Sequence, residues 1–307
     1  MKISKELKKK FHTNYSDTTE FASKARLLQS IWRTEKGFEY DEEKFGNYLI
    51  EKNAINNGEN FLTKRIFELV KNVLNNNSDK KKVIQEPRIW TNLLSSQPMA
   101  FNMFGELVEN LDLCKKTFEE LYPEREIKEI LRIEFEYSPE RKSGKYTNDN
   151  SAFDVFIEYM NNRDEKCFFG IEVKYAENLN DKPSSHKNEY EVVADKSMIF
   201  RKESIDSLKE KPIQQIWRDH LLALSMFKKS NDYKIGDFIY LYPSENKNCR
   251  IGVEKYKETF KESVESYFKP LTLEKLVGVV KKYCADNWIN EFENRYLNFD
   301  KIIKASL

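Results

Sequence analysis

The stretch "AFDVFIEYMNNRDEKCFFGIEVKY", Ala152 to Tyr175, holds two runs rich in β-branched and aromatic residues on either side of the turn-like "NNRDE". Runs of that kind read as two strands of a hairpin. With the loop centred on Arg163, residues equidistant from it pair, which sets Asp154 opposite Glu172 and Phe156 opposite Gly170. Side chains alternate faces along a strand. The odd positions Phe153, Val155, Ile157, Tyr159, Cys167, Phe169, Ile171, Val173 and Tyr175 are all apolar or aromatic, so that face is core. Asp154, Glu172 and Lys174 fall on the other face. A one-residue slip would bury the charges and expose the aromatics, so the pattern fixes the parity of the register, though not a two-residue slip.

Outward from the hairpin, "LRIEFEY" (Leu131 to Tyr137) alternates and reads as a preceding strand, and "GDFIYLYP" (Gly236 to Pro243) as a fourth. "SPERKSGKYTNDNS" is a polar loop, in which Lys142, Lys145 and Tyr146 lie where a substrate backbone would pass. "FASKARLLQSIWR" puts Phe21, Ala25, Leu28 and Trp32 near one helical face, and "NFLTKRIFELVKNVL" repeats that spacing. "FNMFGELVENL" opens a helix that ends before Pro123, and "KPIQQIWRDHLLALSMF" is a helix starting near Pro212. "NNNSDKKK" (Asn75 to Lys82) is a surface loop by composition. "LEKLVGVVKKYCADNWINEFENRYL" returns to helical periodicity. The expected organisation is a helical region at 1–95, an α/β core at 96–250 and a helical region at 251–307 packed on that core.

The 307 residues are 39% apolar and 13% aromatic, enough for a packed core. Lys and Arg number 52 against 51 Asp and Glu, a net charge of +1. Bulk attraction to a polyanion is therefore excluded, and any nucleic-acid contact must come from a local patch. Four cysteines without CxxC spacing and three histidines without ligand spacing argue against zinc and for reduced thiols. The basic start "MKISKELKKKFH" lacks the apolar core of a signal peptide, and no window approaches the roughly 18 apolar residues that span a membrane. A cytoplasmic protein is expected.

Directly opposed strand residues have Cβ atoms roughly 4.5–5.5 Å apart, and like charges so placed repel. Asp154 opposite Glu172 is therefore awkward unless a cation lies between them. Mg²⁺ fits, because it takes one or two carboxylates and keeps several waters. Lys174, one step along the same face, would orient a water or neutralise charge building on a phosphate. These parts suit hydrolysis of a phosphodiester.

Asp154 followed by Glu172-Val173-Lys174 resembles the D…ExK signature of the PD-(D/E)XK nuclease superfamily. More narrowly, "SAFDVFIEY", "FFGIEVKY", "QQIWRDHLLALSMF" and "NFLTKRIFELV" resemble restriction-endonuclease-like proteins of prokaryotes, over roughly residues 20 to 300. The resemblance implies a restriction-endonuclease-like α/β fold, with a central mixed sheet flanked by helices and helical additions at both ends. It implies Asp154 and Glu172 as ligands of Mg²⁺ (Mn²⁺ substituting), with the Val173 carbonyl at the metal and Lys174 as the catalytic lysine. Glu106 is its candidate acid on the first core helix, and Gln215, with Gln214 close behind, its polar residue on the helix after the lysine. DNA is the implied substrate, RNA not being excluded, in a homodimer or with a partner subunit, and in a setting such as phage defence. Phe153 stands where many members have a proline, which is not a ligand.

Each residue also has a plainer reading. Glu106 serves equally as an exposed helix acid, Glu134 and Glu136 read first as solvated strand residues and second as neighbours of the metal, and Glu158 sits towards the turn. Gln215 faces solvent if Ile213, Trp217, Leu221 and Leu224 make the buried stripe. His220 reads as a satisfied buried histidine, and the basic runs "KELKKK" and "DKKK" as solvated tails or loops. At the level of function, a nucleic-acid-binding or assembly subunit on a nuclease fold is the alternative to an enzyme. A structural or toxin-like interaction protein is the third.

Overall fold

A computed structural model of the chain describes residues 3–77, 83–180 and 182–306. The run Asp79–Lys82 and most of the loop expected at Asn75–Lys82 lie outside the described residues. In chain order, α1 (Lys5–Lys10), α2 (Glu20–Glu35), α3 (Glu51–Asn57), α4 (Lys64–Asn75), α5 (Arg88–Thr91), α6 (Ser96–Val108) and α7 (Leu111–Leu121) come first. The strands β1 (Ile127–Tyr137), β2 (Phe153–Asn161) and β3 (Lys166–Val173) follow. Then come α8 (Asn188–Ser197), α9 (Ile205–Leu208), α10 (Gln214–Leu224), β4 (Ile235–Tyr242), α11 (Lys247–Lys257) and β5 (Phe268–Thr272). The described chain ends with α12 (Leu273–Tyr283), α13 (Asn287–Tyr296) and α14 (Asp300–Ala305).

The five strands form one sheet in sequence order, β1-β2-β3-β4-β5. The first two pairings are antiparallel and the last two parallel. Parallel neighbours require a crossover, supplied by α8–α10 between β3 and β4 and by α11 between β4 and β5. The β2–β3 register is the expected one, with Phe156 opposite Gly170 and Val155 opposite Ile171. Both faces of the sheet are covered. Val155, Ile157, Phe169, Ile171 and Ile239 share a core with Phe101, Phe104 and Phe118 of α6 and α7 and with Leu276 and Phe292 of α12 and α13. Phe156, Phe168, Phe238 and Tyr240 share the other core with Tyr190 of α8, Trp217 and Leu221 of α10 and Tyr256 of α11. That double burial explains the near-continuous apolar run "CFFGI" in β3.

Phe153 departs from the expected alternation. Its ring belongs to the second core, beside Phe156, Phe168 and Phe238. It lies over Gly170, where an added Cβ would meet the ring at 2.6 Å. Glycine at 170 is what gives the ring its place.

Elements too short or too polar to show a period differ from expectation. The helix expected to run to Pro123 is two, because the Asn110 side chain accepts from the Leu113 N–H at 3.0 Å and starts α7. The 251–307 region is not wholly helical, since β5 within it extends the core sheet. "KELKKK" is the helix α1 rather than a solvated tail, and its Leu7 packs with Leu27, Leu28, Ile31 and Ile302. The polar stretch after β3 contains α8.

A buried polar knot fixes the end of β3. Tyr175 donates its hydroxyl to the Tyr296 carbonyl at 3.1 Å and accepts from Gln29 Nε2 at 3.2 Å. Arg295, fully buried, donates to Gln29 Oε1 at 2.9 Å and to the Asn60 carbonyl and side-chain oxygens at 2.7 and 2.6 Å. Its guanidinium also lies 4.2 Å from the Trp32 ring centroid. Asn102 of α6 joins by donating to Tyr296 Oη at 2.9 Å and to the Asn60 carbonyl at 3.0 Å. The knot thus ties α2, α6 and α13 to the residue next to Lys174.

Candidate active site

The β2–β3 ladder ends at Val155–Ile171, one step before Asp154 and Glu172. In an unbroken ladder the Val173 N–H would bond back to β2. Here the Asp154 carboxylate accepts that N–H at 2.7 Å. The strands part where Phe153 leaves the alternation, and the side chain of Asp154 takes over a backbone bond. A cleft of about 580 Å³ opens there, lined by Asp154, Glu172, Glu136, Gln215, Arg218 and Asp219 among others.

Glu172 and Lys174 are buried, with Lys174 Nζ donating to Glu172 Oε1 at 2.6 Å. Gln215 Nε2 donates to the same oxygen at 3.1 Å. Burial pushes the half-buried Asp154 well above the usual carboxylate range, and the nearby charges of Glu172 and Glu136 push the same way. Burial alone would lower Lys174, but Glu172, Glu177 and Asp154 outweigh it and hold the ammonium protonated above its ordinary range. Among the described residues, no three His, Cys, Asp or Glu side chains converge to hold a metal. The donor set nonetheless suits a hard cation that keeps most of its waters, because two carboxylates repel each other in a partly dry cleft.

Asp154, Glu172, Lys174, Gln215 and the Val173 backbone are therefore brought together. Glu106 is not: its carboxylate accepts from Thr63 Oγ1 at 2.5 Å and Arg65 Nη1 at 2.8 Å, and it lies outside the cleft lining. Gln214 turns away to the 184 backbone, where it accepts from the Ser184 N–H and donates to its carbonyl. Glu134 pairs with Arg132, and Glu158 accepts from Arg132 and Tyr233, both at 2.8 Å. Lys145 and Tyr146 are both spent on Asp232, at 2.8 and 2.7 Å. His220 is fully buried, with Nδ1 2.8 Å from the Tyr256 hydroxyl. All four cysteines are free thiols.

Asp219 went unnoticed in the sequence. It lines the cleft almost fully buried, with Oδ2 lacking a hydrogen-bond partner among the described residues. Burial, then the Glu172 charge, push its pKa up to about 7. The available signal was spacing: Gln215 and Asp219 stand one turn apart on α10, so they share a face. Glu136, weighed as a solvated strand residue, also lines the cleft, in the left-handed region at φ 51° and accepting from Gln97 at 2.5 Å.

Fold and site define an α/β protein that carries an acid–acid–lysine centre where two strands of a mixed sheet part. The chain belongs to the PD-(D/E)XK nuclease superfamily, whose family model matches residues 15–298. The sheet and its flanking helices have the restriction-endonuclease-like architecture expected from the resemblance. No curated protein and no solved structure matches the chain. Among the described residues no helix is long and apolar enough to cross a membrane.

Proposed function

We propose that the protein is a Mg²⁺-dependent nuclease that hydrolyses phosphodiester bonds of DNA, with Mn²⁺ able to substitute. The observation that carries this reading is the convergence of the Asp154 and Glu172 carboxylates on one cleft beside the protonated Lys174. Asp154 and Glu172 would hold the cation, with the Val173 carbonyl on the same strand edge as the N–H bonded to Asp154. A bound divalent cation polarises the phosphoryl group and makes a coordinated water more acidic.

The chain's own groups do the rest. Lys174, held protonated, is a charge donor and not a general base. It holds the attacking water by donation and neutralises charge on the phosphoryl oxygens as the new P–O bond forms and the old one breaks. The attacking water gives its proton to solvent, and the leaving oxygen takes one from solvent. Gln215 fixes the rotamer of Glu172 through its 3.1 Å bond.

Plasmid nicking with Mg²⁺ and with EDTA tests the reading, on wild type, Lys174→Ala and Asp154→Asn. Metal-dependent nicking that falls at least about 100-fold in both variants is expected, the scale of losing an electrostatic stabiliser. Asp154→Asn keeps an oxygen for the Val173 N–H, so its loss would not reflect unfolding. Absence of nicking, or nicking indifferent to EDTA and to both substitutions, would overturn it.

A further inference from the structure

Three clefts meet at Arg218. The acid cleft is one. A second is bounded by Lys182, Ser184, Lys211 and Gln215, and a third by Lys142, Asp149, Lys187 and Tyr190, and Arg218 lines both of these as well. Charge sorts by position. Glu136, Asp154, Glu172 and Asp219 line the acid cleft, with Arg88 and Arg141 also on its wall. The second has two lysines and no acid among the described residues. The third has two lysines against Asp149 alone. Asp149 is already engaged, accepting from the hydroxyls of Thr147, Ser151 and Tyr190 at 2.8, 2.8 and 2.6 Å.

These lysines differ from the surface lysines that are neutralised in place. Lys36, Lys128, Lys145 and Lys281 are each paired with a carboxylate. Among the described residues, none of Lys142, Lys182, Lys187 and Lys211 is held by one. Arg218 is also loosely held. Nη1 donates to Ser184 Oγ at 2.6 Å and Nη2 to Asp219 Oδ1 at a long 3.5 Å, while Asp149 stands 3.9 Å from Nε. Its Nε is buried with no hydrogen-bond partner among the described residues. Arg125, by contrast, grips Asp237 with two bonds of 2.5 and 2.7 Å. A guanidinium held by one short bond and one long one, where an acidic cleft and two basic clefts meet, matches a phosphate.

We propose that the backbone of a DNA strand crosses the acid cleft, gripped on one side by Lys142 and Lys187 and on the other by Lys182 and Lys211, with Arg218 on the phosphate between them. This deepens the nuclease reading and rests on it for the identity of the acid cleft. It also explains how a chain of net charge +1 attracts a polyanion: the field is local, positive along the flanks and negative only where a divalent cation would bind.

The test is binding of a labelled single-stranded DNA oligonucleotide to the full chain in EDTA, where no cutting occurs, across a salt series. Lys142→Ala/Lys187→Ala and Lys182→Ala/Lys211→Ala are each expected to weaken binding about 3- to 10-fold at low salt. Each pair is expected to flatten the plot of log K against log salt by about 1.4, two lost phosphate contacts on a single strand. Arg218→Ala flattens it by about 0.7 and Arg218→Lys restores the slope. Lys281→Ala, on a remote ion-paired lysine, leaves it unchanged. Wild-type slopes in both lysine pairs, no binding by wild type, or binding of an RNA oligonucleotide alone would overturn the proposal. The two readings fail separately: expected slopes without Mg²⁺-dependent nicking would sink the nuclease reading and keep the grip, and nicking with unchanged slopes would do the reverse.

Discussion

Asp154 and Glu172 weaken the fold that holds them. Burial and the Glu172 charge raise the cost of ionising Asp154, which Lys174 and the Val173 N–H offset in part. Asp154→Asn is therefore expected to stabilise the metal-free chain by about 1 kcal/mol while removing the proposed Mg²⁺-dependent cutting, a trade common at active sites. Urea unfolding in EDTA measures it, and a loss of stability would contradict it. His220 gives the opposite kind of case. Burial among Phe200, Phe238, Phe260 and Phe268 pushes its pKa down to about 3. The folded pKa lies below that of the unfolded imidazole, near 6.5. On acidification the unfolded chain takes up the proton first, so the stabilisation is full above about pH 6.5 and drains as pH falls towards 3. The slope is about 1.4 kcal/mol per pH unit. His220→Phe is expected to remove that part of the acid loss between pH 6.5 and 5, read as the difference between urea midpoints. An unchanged difference would show that the proton is taken up elsewhere.

At the scale of elements, the hairpin turns on one glycine. Gly170→Ala puts a methyl group 2.6 Å from the Phe153 ring. It is expected to cost about 1–3 kcal/mol, the usual range for overpacking, with Phe153→Leu recovering most of it in the double variant. Thermal unfolding reads both, and additive losses would mean that the two residues do not compete for space. The same hairpin was the most legible part of the sequence. An odd face without charges gave the parity of the register, and centring the loop on Arg163 gave the meeting of Asp154 with Glu172. Phe153 broke the pattern because nothing local says that a ring will cross a glycine on the next strand. The polar face of α10 was half legible: Gln215 was found from the helix that carries it, and Asp219, one turn on, was hidden beside His220 in a run that looks like core. Glu106 looked like a ligand by position on its helix, but Thr63 and Arg65 come from a distant segment whose approach no spacing announces. β5 has five residues, two of them Lys269 and Pro270, and its strand character comes from pairing with β4.

At the scale of the whole molecule, the two cores make the sheet a wall, and the polar knot ties that wall to both flanks. Among the described residues Arg295 has no carboxylate as a hydrogen-bond partner, only carbonyl and amide oxygens, with two aromatic rings beside it. Arg295→Met would leave the Gln29 and Asn60 side-chain oxygens buried without this donor and is expected to cost about 1–3 kcal/mol, the scale of orphaning a buried acceptor. Urea unfolding checks it, and a cost below 1 kcal/mol would mean that the knot is not shared support. The knot also bears on how the protein is made. A ribosome has already released Asp154, Glu172 and Lys174 when Arg295 and Tyr296 are still untranslated, more than a hundred codons later. The brace on Tyr175 is thus among the last parts to arrive, and a fragment that stops short of α13 carries the acids and the lysine without it. Synthesis that stops early therefore yields these three side chains at a strand end without its support.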